Sequence, residues 1–220
     1  MNVNFQYSKT LAIEGSILLL LGPIPTVGWI LAIIGVILLL KATKELSNYY
    51  QDESISKNTW TGLKYYIVAI IALAVGAGIG IASFATAGLF AEGATFAFSA
   101  GMAAGFISIF AGLAVAFAFY ILAALNLKKV YETLAQKTGE SSFTTAASLL
   151  FIGAILTIIG IGVILVVISW IFVIIGFSSM KPKEYQQYNN GYNYSNGYTQ
   201  QPAAQEPQQE AAPQNGQPTA

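Results

Sequence analysis

Glu14 is the residue of this chain whose type and position come closest to suggesting chemistry. It is the one charged group in the first long apolar block, residues 11–40. Acids inside membrane spans are costly to bury and often mark ion or proton sites. Glu14 also follows Lys9 by only about one turn inside the block, where it can reach water or pair locally. A candidate intramembrane polar site and a boundary residue therefore both remain open.

The rest of the chain lacks the side chains that most catalytic sites need. It contains no His and no Cys, and Asp52 is its one Asp. Ser-His-Asp and Cys-His arrangements, aspartyl dyads and Cys/His metal sites are therefore excluded, as are disulfides. The glycines of 76–80 lack the Lys of a phosphate-binding loop. We predict no catalytic residue, no metal site and no cofactor, and we do not expect an enzyme.

Composition indicates a membrane protein. Hydrophobic residues make up 55% of the 220 residues and charged residues 9%, against roughly 25% charged in soluble domains. Such a chain cannot cover a water-facing surface, so its predicted partner is the lipid bilayer. The net charge is zero, which gives no reason to expect a nucleic-acid partner.

An apolar motif occurs twice, which predicts a duplicated unit. Gly-Ser-Ile-Leu-Leu-Leu-Leu-Gly at 15–22 returns as Gly-Ala-Ile-Leu-Thr-Ile-Ile-Gly at 153–160. Trp-Ile-Leu-Ala-Ile-Ile-Gly at 29–35 returns as Trp-Ile-Phe-Val-Ile-Ile-Gly at 170–176. Each copy lies in an apolar block of about thirty residues, or about 45 Å of helix, against a hydrocarbon core of about 30 Å. This length favours a helical hairpin for each copy.

Turn residues support the two hairpins unequally. The first block contains Gly22-Pro23-Ile24-Pro25-Thr26-Val27-Gly28, which breaks a helix. The second has only Gly160-Ile161-Gly162 at the matching place, so its turn is predicted mainly from the repeat.

Lysine placement decides the predicted topology. Two hairpins put all ten lysines on one side, whereas single crossings split them seven to three. Because lysine excess marks the cytoplasmic side, we predict an all-α integral membrane protein in the cell membrane with both termini cytoplasmic. Re-entrant hairpins would give the same lysine distribution and remain open. The predicted fold has about six transmembrane helices, at 5–22, 26–43, 63–84, 101–126, 143–160 and 162–179.

Small residues recur at four-residue spacing in the third and fourth helices. Such stripes allow helix backbones to approach closely in lipid. They fit internal packing of one bundle or the face of a homo-oligomer. The residues are Gly76 and Gly80, Gly101 and Gly105, and the series Ala104, Ser108, Gly112 and Ala116.

Two further segments carry predictions. The outer segment 85–100 has Glu92 as its one charge, expected to be solvated. Residues 181–220 contain no Ile, Leu, Val, Phe or Trp and are rich in Gln, Asn, Pro and Tyr. They cannot bury enough apolar area to offset chain entropy, so we predict a disordered cytoplasmic tail that recruits protein partners.

The repeat, together with Leu46-Ser47-x-Tyr49-Tyr50-x-Asp52 in the first loop, resembles the archaeal domain-of-unknown-function 996 family. The resemblance covers residues 8 to about 180 and implies a multi-pass membrane protein. The family has no assigned activity, so the resemblance transfers no functional residues.

Two functions fit the sequence. The first is a non-catalytic association or scaffold protein. The second is a small transporter or channel that uses Glu14 near the broken first hairpin, because helix breaks at membrane depth line cavities.

Overall fold

The computed structural model describes residues 4–89 and 95–182, and throughout these ranges the regular structure is helical. Glu92 and residues 183–220 lie outside the described residues. The predictions of a solvated Glu92 and of a disordered tail therefore stay predictions. The helices are α1 (Phe5–Leu20), α2 (Gly28–Tyr50), α3 (Glu53–Leu89), α4 (Thr95–Thr138), α5 (Ser141–Leu156), a 3₁₀ turn (Thr157–Ile159) and α6 (Gly162–Ser179).

The helices form three antiparallel pairs, α1–α2, α3–α4 and α5–α6, and α4 packs on α5, α1 on α6 and α2 on α3. One end of the bundle, here called the base, holds the start of α1, the end of α6 and the α2–α3 and α4–α5 junctions. Its core lies in these helix ends, where all six helices contribute buried side chains. The largest fully buried ones are Tyr131, Phe143, Phe177, Leu46, Ile55 and Leu134.

Four helical segments of the described chain are long and apolar enough to cross a membrane: Glu53–Gly88, Ser99–Thr138, Ser141–Ile159 and Gly162–Ser179. By length and composition they indicate a membrane protein. The predicted six spans differ from this number for physical reasons. Helix α1 has 16 residues and reaches about 24 Å, short of a 30 Å core. Helix α2 carries Lys41, Lys44 and Glu45 in its second half.

Helices α3 and α4 extend well beyond the predicted ranges 63–84 and 101–126. The added turns at the base are rich in charge, so apolar length alone does not find them. Packing stabilises them instead, because Ile55, Val130 and Leu134 are buried in the base core. An amphipathic face held by tertiary contacts continues each helix past the end of its apolar run.

Both short hairpins turn where the sequence predicts. Residues 21–27 connect α1 to α2, with Thr26 at a φ of 69°. The weaker glycine break is also a turn: Gly160 follows the 3₁₀ turn in the left-handed conformation, at a φ of 83° that favours glycine.

The two repeat copies do not make equivalent contacts. A Cβ atom on Gly15 would lie 2.9 Å from the carbonyl oxygen of Gly35, in the middle of α2. A Cβ atom on Gly153, its counterpart, would instead meet Gly162 and Leu165 at the start of α6. The longer proline-containing turn of the first hairpin sets a different register from the tight glycine turn of the second.

The small-residue stripes lie in the α3–α4 interface. A Cβ atom on Gly76 would lie 2.6 Å from the Cα atom of Gly112, and one on Gly101 would lie 2.7 Å from the Cβ atom of Ala87. Gly80 faces Gly105 in the same interface. These glycines let the two longest helices pack backbone to backbone, which is the internal-packing alternative. A homo-oligomer stays a prediction.

Candidate functional site

The structure places Glu14 on the outer, exposed face of α1. The same face exposes Tyr7 and Thr10 on one side of it and Ile17 and Leu21 on the other. Among the residues that the structure describes, none forms a hydrogen bond or ion pair with Glu14. Glu14 therefore lies where the exposed surface of α1 changes from polar to apolar.

The same change occurs on four other helices. From the base outwards, the exposed residues are first polar and then aliphatic on α1, α2, α3, α4 and α5, whereas α6 is apolar along nearly all of its exposed face. On the base side they include Gln6, Thr10, Lys41, Lys44, Asn48, Lys57, Lys64, Lys129, Gln136, Ser141, Thr144 and Ser148. Beyond the change they include Ile17, Leu21, Ile30, Ile33, Ile37, Ile67, Ile71, Leu113, Leu122, Ile152 and Ile155.

Contacts between helices show that these changes occur at one level, here called the boundary. A Cβ atom on Gly15 of α1 would lie 2.9 Å from the backbone nitrogen of Leu39 in α2. One on Gly62 of α3 would lie 3.4 Å from the Cβ atom of Asn126 in α4. Lys128 Nζ lies 5.1 Å from the centroid of the Phe151 ring on α5. These contacts align α1 with α2, and α3 with α4 and α5. The α2–α3 junction lies about ten residues of helix from both Leu39 and Gly62, so the boundary is at a similar level on all five helices.

The short hairpins end soon after the boundary. From Leu39 back to the start of α2 at Gly28 is about 16 Å of helix. From Leu150 to the end of the 3₁₀ turn at Ile159 is about 13 Å. Both distances are about half of a 30 Å hydrocarbon core.

The α3–α4 pair continues much further. Thr157, at the end of α5, interacts with the Tyr120 side chain of α4, whose ring centroid lies 6.4 Å from that of Tyr66 on α3. Helix α3 runs on from Tyr66 to Leu89, about 35 Å further. In this outer part α3 and α4 pack on each other through Gly76 with Gly112 and Gly80 with Gly105, and their outward faces are apolar.

Lysines and aromatic rings cluster near the boundary. Lys41 Nζ donates a hydrogen bond to the Tyr7 hydroxyl at 2.7 Å and lies 5.1 Å from the centroid of that ring. On α3, Trp60 is exposed between Lys57 and Lys64, three and four residues away on one face. Ammonium groups and indole rings in this arrangement are typical of a membrane–water interface.

The α2–α3 junction contains the Leu46-Ser47-x-Tyr49-Tyr50-x-Asp52 motif, and each of these residues has a structural part. Leu46 and Tyr50 are buried in the base core, and the Tyr49 ring centroid lies 5.0 Å from that of Phe5. The Asp52 N–H donates to the Ser47 carbonyl at 3.0 Å. With Gln51 left-handed at a φ of 53°, this is a Schellman motif that ends α2.

Asp52 also caps the start of α3. Its Oδ1 accepts the Ser54 N–H at 3.1 Å, as an N-cap does. Ser54 and Ser141 lie inside the first turns of α3 and α5 and are not the N-caps of these helices. The N-cap of α3 is Asp52, and the N-cap of α5 is Glu140, which makes no side-chain cap bond. Glu140 has the extended backbone that an N-cap requires, with a φ of −86° and a ψ of 108°.

Asp52 also ties the junction to α4, since its Oδ2 lies 3.1 Å from Lys137 Nζ. The hydrogen bond with Ser54, and then Lys137, hold the pKa of the Asp52 carboxyl below its ordinary value. A lowered folded-state pKa gives stability that is present above the unfolded value of about 3.9 and lost as the pH falls through the folded value.

Replacing Asp52 with Asn keeps an oxygen acceptor for the cap but removes the charge. We expect a loss of about 0.5 kcal/mol in unfolding free energy at pH 7, because the pair is partly exposed to solvent. The difference from the wild type should shrink as the pH falls below the unfolded value of about 3.9. Detergent-solubilised protein unfolded at pH 3 and pH 7 checks this, with Lys44→Gln as a surface control. A loss that is the same at both pH values would contradict the assigned ion pair.

Comparison with known proteins gives a family match that covers this junction. The DUF996 family, proteins of unknown function, matches residues 31–171. The chain belongs to the DUF996 family. An uncharacterised protein of Methanocaldococcus jannaschii is 30% identical over 157 residues, which cover 70% of this chain and 81% of that protein. No solved structure matches the chain.

The DUF996 match runs from the first half of α2 to the middle of α6 and so includes the α2–α3 junction and the boundary on α2, α3, α4 and α5, but not α1 with Glu14. The family assigns no activity. Sequence reasoning singled out Glu14 but missed the boundary to which it belongs. The signal was present in each helix, as a change in its exposed face, but the registers between helices were needed to align five such changes.

Proposed function

We propose that this DUF996 protein is a non-catalytic scaffold of the membrane. The single observation that carries the proposal is the boundary, which organises the exposed polar groups of five helices. Two lysines near the boundary contact aromatic rings, which suits side chains that anchor a protein at the membrane–water interface. Lys41 donates a hydrogen bond to the Tyr7 hydroxyl, and the Lys128 ammonium lies over the Phe151 ring. At the base, Lys9 Nζ donates a hydrogen bond to the Met180 carbonyl at 3.0 Å and so links α1 to the end of α6.

The proposed topology follows from the lengths beyond the boundary. Helices α3 and α4 extend about 35 Å or more past it and cross the bilayer. The α1–α2 and α5–α6 hairpins, taken as descendants of one duplicated unit, enter from the base side and turn back inside the lipid. Both termini then lie with the lysines on the cytoplasmic side. This is the re-entrant alternative. It replaces the six predicted crossings by two, and in it α5 and α6 turn back inside the lipid although both segments are long and apolar enough to cross.

The position of Glu14 at the boundary accounts for an exposed acid there, and it requires no role in transport. An exposed carboxylate at the level of headgroups stays hydrated and needs no partner in the protein. A groove between α3 and α4 and a recess at the α4–α5 junction are both lined by other residues and not by Glu14. Recruitment of partners by the tail, residues 181–220, stays a prediction.

Reconstituted protein tests this function directly. Proteoliposomes should show no proton or cation flux above that of protein-free liposomes, and Glu14→Gln should change nothing. A pH-sensitive dye and a potassium-sensitive dye inside the vesicles measure the flux, with a known ionophore as the positive control. Flux in the wild type that Glu14→Gln abolishes would establish the transporter instead, with Lys44→Gln as the matched surface control.

A further inference from the structure

The protein is much wider at the level of the two short hairpins than beyond their tips. Just past the boundary, six helices lie side by side, because both short hairpins still accompany α3 and α4. Beyond the tips of the two short hairpins, only α3 and α4 of the described helices continue. With helices about 10 Å across, the cross-section falls about threefold, from six helices to two.

The narrow part is also tightly closed. A Cβ atom on Gly112 would lie 2.7 Å from the Cα atom of Gly76, so no space remains between the two backbones. The outer part is therefore a two-helix rod, whereas the base-side part is a six-helix wedge. Exposed isoleucines at the hairpin tips, including Ile158, Ile159 and Ile161, hold that wedge in the hydrocarbon of one leaflet.

A body of this shape takes more area from one leaflet than from the other. Insertion of apolar surface into a single leaflet is sensitive to membrane curvature. The area asymmetry is relieved when the leaflet next to the base is the convex one, since its outer surface is then expanded. A flat bilayer must instead thin or tilt its lipids around the narrow rod.

We propose that this protein recognises curved lipid bilayers, with its base on the convex face, and that the α1–α2 and α5–α6 hairpins form the recognising surface. The partner is the bilayer itself and not a particular headgroup. This inference rests on the topology of the proposed scaffold and adds a physical property that a scaffold or a transporter could each possess.

Orientation in vesicles of different size tests the proposal. The chain has no natural cysteine, so Asn48→Cys, exposed near the base, reports which way the base faces. The full chain carrying this change is reconstituted into vesicles of about 50 nm and about 400 nm diameter and treated with an impermeant maleimide. We expect labelling of about one half in large vesicles and close to complete labelling in small ones. Labelling after detergent solubilisation gives the total.

A variant with weaker hairpin insertion adds an independent test. Ile158→Ser, Ile159→Ser and Ile161→Ser together remove apolar surface from the second tip, where these side chains are exposed. The orientation bias should fall, whereas changing the same three residues to Leu should preserve it. If the serine variant fails to fold, the comparison of vesicle sizes with the Asn48→Cys protein still decides.

Two outcomes overturn the proposal. One is equal labelling of the Asn48→Cys protein in small and large vesicles, and the other is a preference for the base on the concave face. Either result leaves the scaffold function standing. Ion flux lost in Glu14→Gln would overturn the scaffold function and leave the curvature preference untouched.

Discussion

Replacing Gly112 with Leu is expected to destabilise the protein by about 3 kcal/mol or more. The first atom of the new side chain would lie 2.7 Å from the Cα atom of Gly76 and 3.0 Å from the carbonyl oxygen of Ala72. Both are backbone atoms that cannot rotate away, so α3 and α4 must separate along their length. Denaturant-dependent loss of helical circular dichroism in detergent micelles measures the change.

Gly78 offers a matched control for Gly112 in the same helix pair. A Cβ atom there meets no heavy atom within 4 Å, and Leu favours helix more than Gly does. Gly78→Leu should therefore be neutral or slightly stabilising. Equal losses for the two variants would mean that α3 and α4 do not pack in this register.

Truncating Phe143 to Ala is expected to cost about 3–5 kcal/mol in unfolding free energy. Phe143 is fully buried at the start of α5. Its ring centroid lies 5.0 Å from that of Phe177 on α6 and 6.3 Å from that of Tyr131 on α4. Removing the ring leaves a cavity where three helices meet, which the base core cannot refill.

The control for Phe143 is Ile158→Ala, which removes apolar atoms from a side chain that is 69% exposed. We expect less than about 0.5 kcal/mol for that change in detergent. Thermal unfolding followed by intrinsic fluorescence compares the two. A Phe143→Ala protein as stable as Ile158→Ala would contradict the base core described here.

The sequence is most informative where one local signal decides the structure. Two prolines in 22–28 and two glycines in 160–162 place the hairpin turns correctly, because both residue types limit what the backbone can do. Apolar runs locate all six helices. Their ends are less predictable, since turns near Ile55 and Tyr131 are stabilised by contacts with other helices.

The candidate site depends on registers that no single segment contains. Aligned motifs suggest that Gly15 and Gly153 are equivalent, yet one faces the middle of α2 and the other the start of α6. The length of a turn shifts such a register without changing the motif. Likewise, the positions of the lysines predict which helix ends lie together at the base. They do not predict how far each hairpin extends beyond the lysines.

Depth of the hairpin tips tests the account most directly. Single cysteines at Ile24, Ile159 and Gly88, each exposed in the structure, are treated with an impermeant maleimide in intact cells and after permeabilisation. The account predicts labelling of Gly88→Cys from outside and no labelling of Ile24→Cys or Ile159→Cys from either side, because both tips end inside the lipid. Labelling of Ile24→Cys or Ile159→Cys in intact cells would show full crossings and contradict it.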